Sequence, residues 1–149
     1  KMENNWKSFL GDYLNTGLYY LPVSGAEEDK IIEAARDHEL KVVTVNMNRV
    51  SRKQTFLSRF ARALQFPVYF GQNWDALFDS LTDLSWTKAP GHVILIYNLK
   101  DMAKKSPEDM RVIRRVFEAA AEYWQSRQML FFILISEKPC RRIRLPHDR

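Results

Sequence analysis

The sequence predicts an α/β fold in which helices flank a small, mostly parallel sheet of three or four strands. Short apolar segments rich in β-branched residues alternate along the chain with longer segments of helical periodicity. The later apolar segments are almost continuously hydrophobic, as strands covered on both faces are. With 149 residues, 46% of them hydrophobic, the chain is long enough for one domain with a sizeable core.

The first 39 residues predict a strand and a helix added to a smaller core. Residues 17–23 (GLYYLPV) are short, aromatic and apolar, which is typical of a strand. The helix after it begins at Ser24 or Gly25, because the acidic residues that follow favour the positive end of a helix. We therefore expect residues 1–39 to form an N-terminal βα unit packed on the core.

A second strand and a second helix come next. Residues 40–47 (LKVVTVNM) are rich in β-branched residues and predict a strand. Ser51 and Gln54 have the spacing of a capping box, which predicts the start of a helix with one apolar side. Pro67 ends that helix.

Residues 67–86 carry the most distinctive pattern of the chain. Asp75, Asp79 and Asp83 recur every four residues, and apolar side chains recur beside them at the spacing of a buried helical stripe. A helix with Asn73 as its N-cap would turn carboxylates to water and apolar side chains to the core. The segment has no Lys or Arg, although the formal net charge of the chain is +5. This acidic surface favours binding to a cationic partner.

The last third of the chain predicts a buried strand, a long helix and a second buried strand. The strands are residues 92–99 and 129–135, both nearly continuous apolar runs. Between them, Ser106 as N-cap and Pro107 at the first helical position begin the helix. Residues 137–149 contain five Lys or Arg and two acidic residues, so we expect a basic C-terminal tail outside the domain.

Residues 69–82, YFGQNWDALFDSLT, follow the pattern Tyr-aromatic-Gly-x-Asn-x-Asp-Ala-Leu-aromatic-Asp-x-Leu-Thr. Mainly through this pattern, residues 40–136 resemble the barstar family, the intracellular inhibitors of secreted guanyl-preferring ribonucleases. The run VFEA at residues 116–119 matches the last helix of the family, and the closing strand follows it. The resemblance implies a barstar-like three-layer arrangement, and residues 1–39 resemble an extension found in some longer relatives.

The resemblance also implies how such a protein acts: the acidic helix and the loop before it block a ribonuclease active site. A ribonuclease holds the RNA phosphate with Arg, Lys and His, and carboxylates at helical spacing can replace that phosphate. By motif position, Asp79 is the central anchor and Asp75 its partner one turn earlier. Tyr69 lies against the catalytic histidine of the enzyme, and Gly71 permits close approach of the backbone. The full set of implied partner-binding residues is Tyr69, Gly71, Asn73, Asp75, Asp79 and Asp83.

The chain departs from the family pattern in several respects, including a two-residue insertion before Pro90. The further acidic contact on the last helix falls at Ala119, and Glu118 and Glu122 point elsewhere on that helix. Phe78 stands where the family usually has Trp, and its place in the apolar stripe indicates packing. The best-known members are acidic overall, whereas this chain is basic, so long-range steering toward a basic enzyme is weaker.

Two other classes of function stay open on the residues alone. A nucleic-acid-binding module is suggested by the net charge of +5, the basic run from Arg49 to Arg62 and the basic tail. An enzyme using Asp75 and Asp79 as an acid/base or metal pair is disfavoured. No His or Cys lies near them at ligand spacing, and the sequence has no phosphate-binding loop or zinc motif.

The remaining features predict a cytoplasmic protein that needs no cofactor and no metal. The longest apolar runs are too short to cross a bilayer, residues 1–10 lack a signal pattern, and the single Cys140 cannot form an internal disulfide. We therefore expect an inhibitor, not an enzyme, that is a monomer when free. Its expected partner is an extracellular-type ribonuclease or a ribonuclease toxin, without direct contact to nucleic acid or membrane.

Overall fold

The computed structural model describes residues 5–67 and 71–137. In chain order the elements are α1 (Trp6–Leu10), a 3-10 turn (Tyr13–Asn15), β1 (Gly17–Leu21), α2 (Gly25–Asp37), β2 (Lys41–Asn46), α3 (Lys53–Leu64), α4 (Trp74–Leu81), β3 (Gly91–Tyr97), α5 (Lys100–Lys105), α6 (Pro107–Gln125) and β4 (Leu130–Ser136). The predicted basic tail lies, from residue 138 onward, outside the described residues.

The strands form one sheet in the order β1-β4-β3-β2, and each neighbouring pair is parallel. The predicted α/β class is therefore confirmed, and the sheet, expected to be mostly parallel, is parallel throughout its described strands. Helices cover both faces, because parallel strands need crossover connections. One apolar cluster joins α1 and α2 to one face of the sheet, and a larger one joins α3, α4 and α6 to the other. This is the expected three-layer arrangement.

The two central strands explain why the last apolar runs are continuous. All seven residues of β3 are buried, as are six of the seven in β4. Gly91 begins β3 where a Cβ atom would lie 2.5 Å from the carbonyl oxygen of Leu130. Only glycine fits at this close approach between neighbouring strands.

The helix starts confirm most of the predicted caps and correct one. Ser24 Oγ accepts a hydrogen bond from Glu27 N–H at 3.1 Å, so α2 begins as predicted. The predicted capping box of Ser51 and Gln54 is wrong, because α3 has Arg52 at its N-cap and no side-chain cap bond. The carbonyl of Ser51 instead accepts a hydrogen bond from Ser106 Oγ at 2.6 Å. That bond ties the starts of α3 and α6 together.

The N-terminal residues are built into both the sheet and the core. β1 pairs in parallel with β4 at one edge of the sheet. The short α1, which its sequence did not predict, buries Trp6 and Leu10 in the cluster on the α2 face. Among the described helices, none is long and apolar enough to span a membrane.

His92 is a buried histidine at the start of β3. Its side chain is only 7% exposed, and its Nε2 lies 3.1 Å from Thr87 Oγ1. The Thr87 oxygen already accepts from Ala89 N–H at 3.2 Å, so its hydroxyl proton can be donated to Nε2. Burial, helped by the positive charge of Lys41, lowers the pKa of His92 from its ordinary value to about 4. His92 is therefore neutral at physiological pH.

We expect His92 to contribute to acid destabilisation of the fold. The unfolded chain binds the histidine proton near pH 6.5 and the folded chain only near pH 4, so this stabilisation is complete above pH 6.5 and is lost between these values. By linkage, the stability lost between pH 7 and pH 4.5 is roughly 2–3 kcal/mol. Urea unfolding of the wild type and of His92→Gln, at pH 7 and pH 4.5, measures it. The variant should lose less stability on acidification, and equal losses would contradict the assignment.

Candidate partner-binding site

α4 is fixed to the protein by its apolar side. Leu77 and Leu81 are 0% exposed and belong to the core cluster shared with α3 and α6. Trp74 packs against Phe56, with 6.1 Å between the ring centroids. At the other end, Trp124 Nε1 donates a hydrogen bond to the carbonyl oxygen of Leu81 at 2.8 Å. The helix is therefore held along its whole length. The sequence gave no sign of this bond.

The start of α4 is capped as predicted. Asn73 Oδ1 accepts a hydrogen bond from Ala76 N–H at 2.7 Å, and Asn73 Nδ2 lies 3.4 Å from the carbonyl oxygen of Gly71. Between them, Gln72 has a φ of 55°, in the left-handed region that residues other than glycine rarely adopt. These features hold the end of the loop in one position against the helix.

The opposite side of α4 and its C-terminal turn carry the three carboxylates. Asp75, Asp79 and Asp83 are all exposed. Within the described parts of the chain, none of them makes an ion pair. Asp75 lies in the first turn, where the helix dipole favours a negative charge. Like charges four residues apart destabilise a helix by about 0.2–0.5 kcal/mol per pair. A cationic partner would remove that repulsion.

The predicted site residues that fall in the described ranges lie on one exposed segment. Gly71, Asn73 and the three aspartates are all exposed, whereas Tyr69 lies outside the described residues. A Cβ atom on Gly71 would meet Asn73 Nδ2 at 3.4 Å and Ala76 Cβ at 3.6 Å, which are ordinary contacts. The fold itself therefore does not require glycine at position 71. Partner binding by these residues stays a prediction.

Two residues discussed from the motif take positions that the sequence did not specify. Phe78 is half-buried, and the fully buried residues of α4 are Leu77 and Leu81. It therefore lies at the border between the core and the acidic face. On α6, Ala119 is exposed, and so are Glu118 and Glu122. Burial raises the pKa of Tyr20, while the charge of Arg114 lowers it and the charge of Glu118 raises it.

The described residues contain no group of three or more His, Cys, Asp or Glu side chains arranged to hold a metal ion. What the segment offers is an exposed, rigid and negatively charged helix face with a fixed loop end beside it. Such a face can accept charge-assisted hydrogen bonds from Arg, Lys or protonated His of another molecule.

The capping role of Asn73 can be separated from any role in binding. Asn73→Ala should lower the free energy of unfolding by about 1 kcal/mol, because Ala76 N–H loses its acceptor. Asn73→Asp keeps an acceptor and adds a negative charge at the positive end of the helix, so its stability should equal or exceed that of the wild type. Urea unfolding at pH 7 checks both variants. A similar loss in both would rule out the cap as the source of the stabilisation.

Comparison with known proteins identifies the family. The family model described as Barstar (barnase inhibitor) matches residues 40–136, whereas no curated protein matches the chain. Among solved structures, the ORC2 protein of Aeropyrum pernix, in its ADPNP–ADP complexes, is similar with 17% identity and a TM-score of 0.55. The alignment covers 91% of this chain but only 41% of that one. Because the identity is so low, the likeness concerns the fold alone. Since the family model matches well over half of its length and includes the acidic helix, the chain belongs to the barstar family of barnase inhibitors.

Proposed function

We propose that this protein inhibits a guanyl-preferring, barnase-type ribonuclease by inserting α4 and the loop before it into the enzyme's active site. The observation that carries the proposal is the row of exposed carboxylates on a helix whose other side is locked into the core. The partner is an extracellular-type ribonuclease or a ribonuclease toxin made in the same cell. Protection of that cell requires the two proteins to meet in the cytoplasm, where the free inhibitor is a monomer.

The proposed inhibition works by electrostatic replacement of the substrate. The enzyme's cleft uses cationic side chains to hold an RNA phosphate, and Asp79 and Asp75 would accept hydrogen bonds from those same groups. Because α4 is already fixed by Leu77 and Leu81, its binding surface loses little conformational freedom on association. Asp83 would extend the row by one further turn.

The loop before α4 would lie against the enzyme's surface. The fold of this chain would accept a side chain at position 71. Close approach of the partner's surface to the backbone would explain why glycine stands there. Asn73 Oδ1 accepts from Ala76 N–H and one N–H of Nδ2 donates to the Gly71 carbonyl oxygen, which leaves the second N–H of that amide for a partner. The motif assigns Tyr69 to the catalytic histidine of the enzyme, and that contact is part of the proposal.

Removal of a single charge from α4 should weaken inhibition of barnase. We expect Asp79→Asn to raise the inhibition constant at least about 30-fold, corresponding to roughly 2 kcal/mol, and Asp75→Asn to have the next largest effect. Charge-coupled binding is already the known behaviour of barnase with barstar, so this magnitude comes from the family and not from this chain. Cleavage of a guanosine-containing RNA by barnase, titrated with each variant, measures the constants.

The matched control for these variants is Glu33→Gln on α2. Glu33 is an exposed acidic residue on the opposite face of the sheet, so its removal changes the net charge by the same amount without touching α4. Inhibition by Glu33→Gln should stay within about twofold of the wild type, as expected for a distant surface charge. Equal effects of Glu33→Gln and Asp79→Asn, with both variants folded, would exclude a specific role for α4.

Binding of nucleic acid is the alternative function. The basic run consists of Arg49, Arg52, Lys53, Arg59 and Arg62. Two of these residues have structural contacts. Arg59 Nη1 donates to the carbonyl oxygens of Asn46 at 3.0 Å and Asn48 at 3.3 Å. Lys53 Nζ lies 5.7 Å from the ring centroid of Trp74. These contacts fix two of the side chains but leave their charge, and the four arginines of the run are exposed, so the run forms a small basic surface.

We expect no measurable binding to single-stranded RNA at about 150 mM salt, because the four exposed arginines of the run can neutralise only a few phosphates and such binding weakens steeply with salt. Fluorescence anisotropy of a labelled RNA, measured at 50, 100 and 200 mM salt, checks this. The alternative would be favoured by binding that weakens steeply with salt and is reduced in Arg52→Ser and Arg62→Ser. Glu33→Gln is the control here as well, since it alters the net charge away from the basic run.

A further inference from the structure

Exposed apolar side chains lie where the parallel strands begin, and we call this end of the sheet its amino edge. Among the described residues, Leu14, Tyr20 and Met129 are the large hydrophobic side chains left exposed, at 66%, 46% and 37%. Leu14 is on the 3-10 turn just before β1, and Met129 directly precedes β4. Because β1 and β4 are parallel neighbours, both residues lie at the same edge, whereas Tyr20 is near the other end of β1.

The backbone that carries Leu14 is firmly held. Thr16 is 5% exposed. Its hydroxyl donates to the carbonyl oxygen of Met129 at 2.6 Å and accepts from Phe131 N–H at 3.1 Å. Gln125 Nε2 donates to the carbonyl oxygens of Leu14 at 3.0 Å and Thr16 at 3.2 Å. The turn is therefore tied both to β4 and to the end of α6.

Local hydrogen bonds fix the turn itself. Asp12 Oδ1 accepts from Leu14 N–H at 2.9 Å. The next residue, Asn15, donates through Nδ2 to the carbonyl oxygen of Phe9 at 3.0 Å and accepts at its own carbonyl from the Tyr19 hydroxyl at 2.7 Å. The fold thus holds a leucine side chain in water on a rigid support. An apolar side chain on a fixed backbone costs less ordering when a partner covers it than one on a mobile loop.

The surface continues from this edge to the end of the acidic row. A cavity of about 190 Å³ is lined by Asp83, Pro90, Trp124 and Met129, among others. Asp83, the last of the three carboxylates, therefore shares a depression with Met129, and Met129 is joined to the Leu14 turn through Thr16. We call Asp83, Pro90, Met129 and Leu14 the amino-edge strip.

We infer that the amino-edge strip is an apolar extension of the partner-binding site, on which the ribonuclease bound at α4 packs an apolar rim. This inference rests on the proposed function. α4 has eight residues and is only about 12 Å long, whereas a stable protein interface buries about 800 Å² on each partner. The bound enzyme must therefore cover surface beyond α4, and the strip begins at its last carboxylate.

The strip also gives this chain a contact that the matched domain lacks. The family match begins at residue 40, so Leu14 lies outside it. The acidic contact expected on α6 is absent at Ala119, which is exposed. An apolar anchor near the end of α6 would supply binding free energy that does not depend on the net charge of either protein. A minority of interface side chains, packed in desolvated pockets, commonly carries most of the binding free energy.

Leu14→Ser tests the inference, with Tyr20→Ser as its matched control. Both residues are exposed, precede the matched domain and lose an apolar side chain, but Tyr20 lines a different cavity, together with Arg114. The probe is barnase, and stopped-flow fluorescence measures association and dissociation rates at two salt concentrations. We expect Leu14→Ser to raise the dissociation constant about tenfold, mainly through faster dissociation and with an unchanged salt dependence. Tyr20→Ser should stay within twofold of the wild type.

Met129→Gln is a second variant, in case Leu14→Ser perturbs the fold, and it should weaken binding in the same way. The inference is overturned if both strip variants bind as tightly as Tyr20→Ser while Asp79→Asn still weakens the complex. In that case the proposed function stands and only the extension of the site is lost. If the wild type neither binds nor inhibits barnase, the proposed function fails and the inference falls with it.

Discussion

The acidic face depends on the burial of two leucines. An isolated helix of eight residues is not stable in water, and α4 exists because Leu77 and Leu81 are completely buried. Each contributes about 1.5–3 kcal/mol, which outweighs repulsion of a few tenths of a kcal/mol between aspartates four residues apart. Trp124 fixes the end of the helix through the Leu81 carbonyl. The core thus holds a row of like charges that the helix could not hold alone.

The charge distribution indicates binding at short range. The chain has a net charge of +5, so at a distance it repels a basic enzyme, while the negative field of α4 extends only about one Debye length, roughly 8 Å at physiological salt. Lys53, stacked near Trp74, places a cation close to the start of the same helix. Affinity must therefore come from close contacts that slow dissociation more than from steering. An apolar contact at Leu14 fits this requirement, because salt does not screen it.

The sequence predicted those features of the fold that depend on residues close together in the chain. The four strands, the long helices and the Asn73 cap follow from periodicity and short-range spacing, and the structure has them. The strand order was not predictable, because it depends on β1 crossing to the far edge beside β4. The Ser51 capping box failed because α3 begins one residue later than the box requires, with Arg52 as its N-cap. Phe78 fits the apolar stripe but lies at its border. The exposure of Leu14 was not predictable, because the position of its turn depends on hydrogen bonds to the distant Gln125 and Met129.

The central claim is that the protein occupies the active site of the ribonuclease, and competition with an active-site ligand tests it most directly. Binding of the wild-type protein to barnase would be measured by calorimetry in the presence of rising concentrations of guanosine 3′-monophosphate. The account predicts mutually exclusive binding. The apparent dissociation constant of the inhibitor should rise by a factor of one plus the nucleotide concentration divided by the nucleotide's own dissociation constant. An unchanged dissociation constant at saturating nucleotide, with a ternary complex formed, would contradict it.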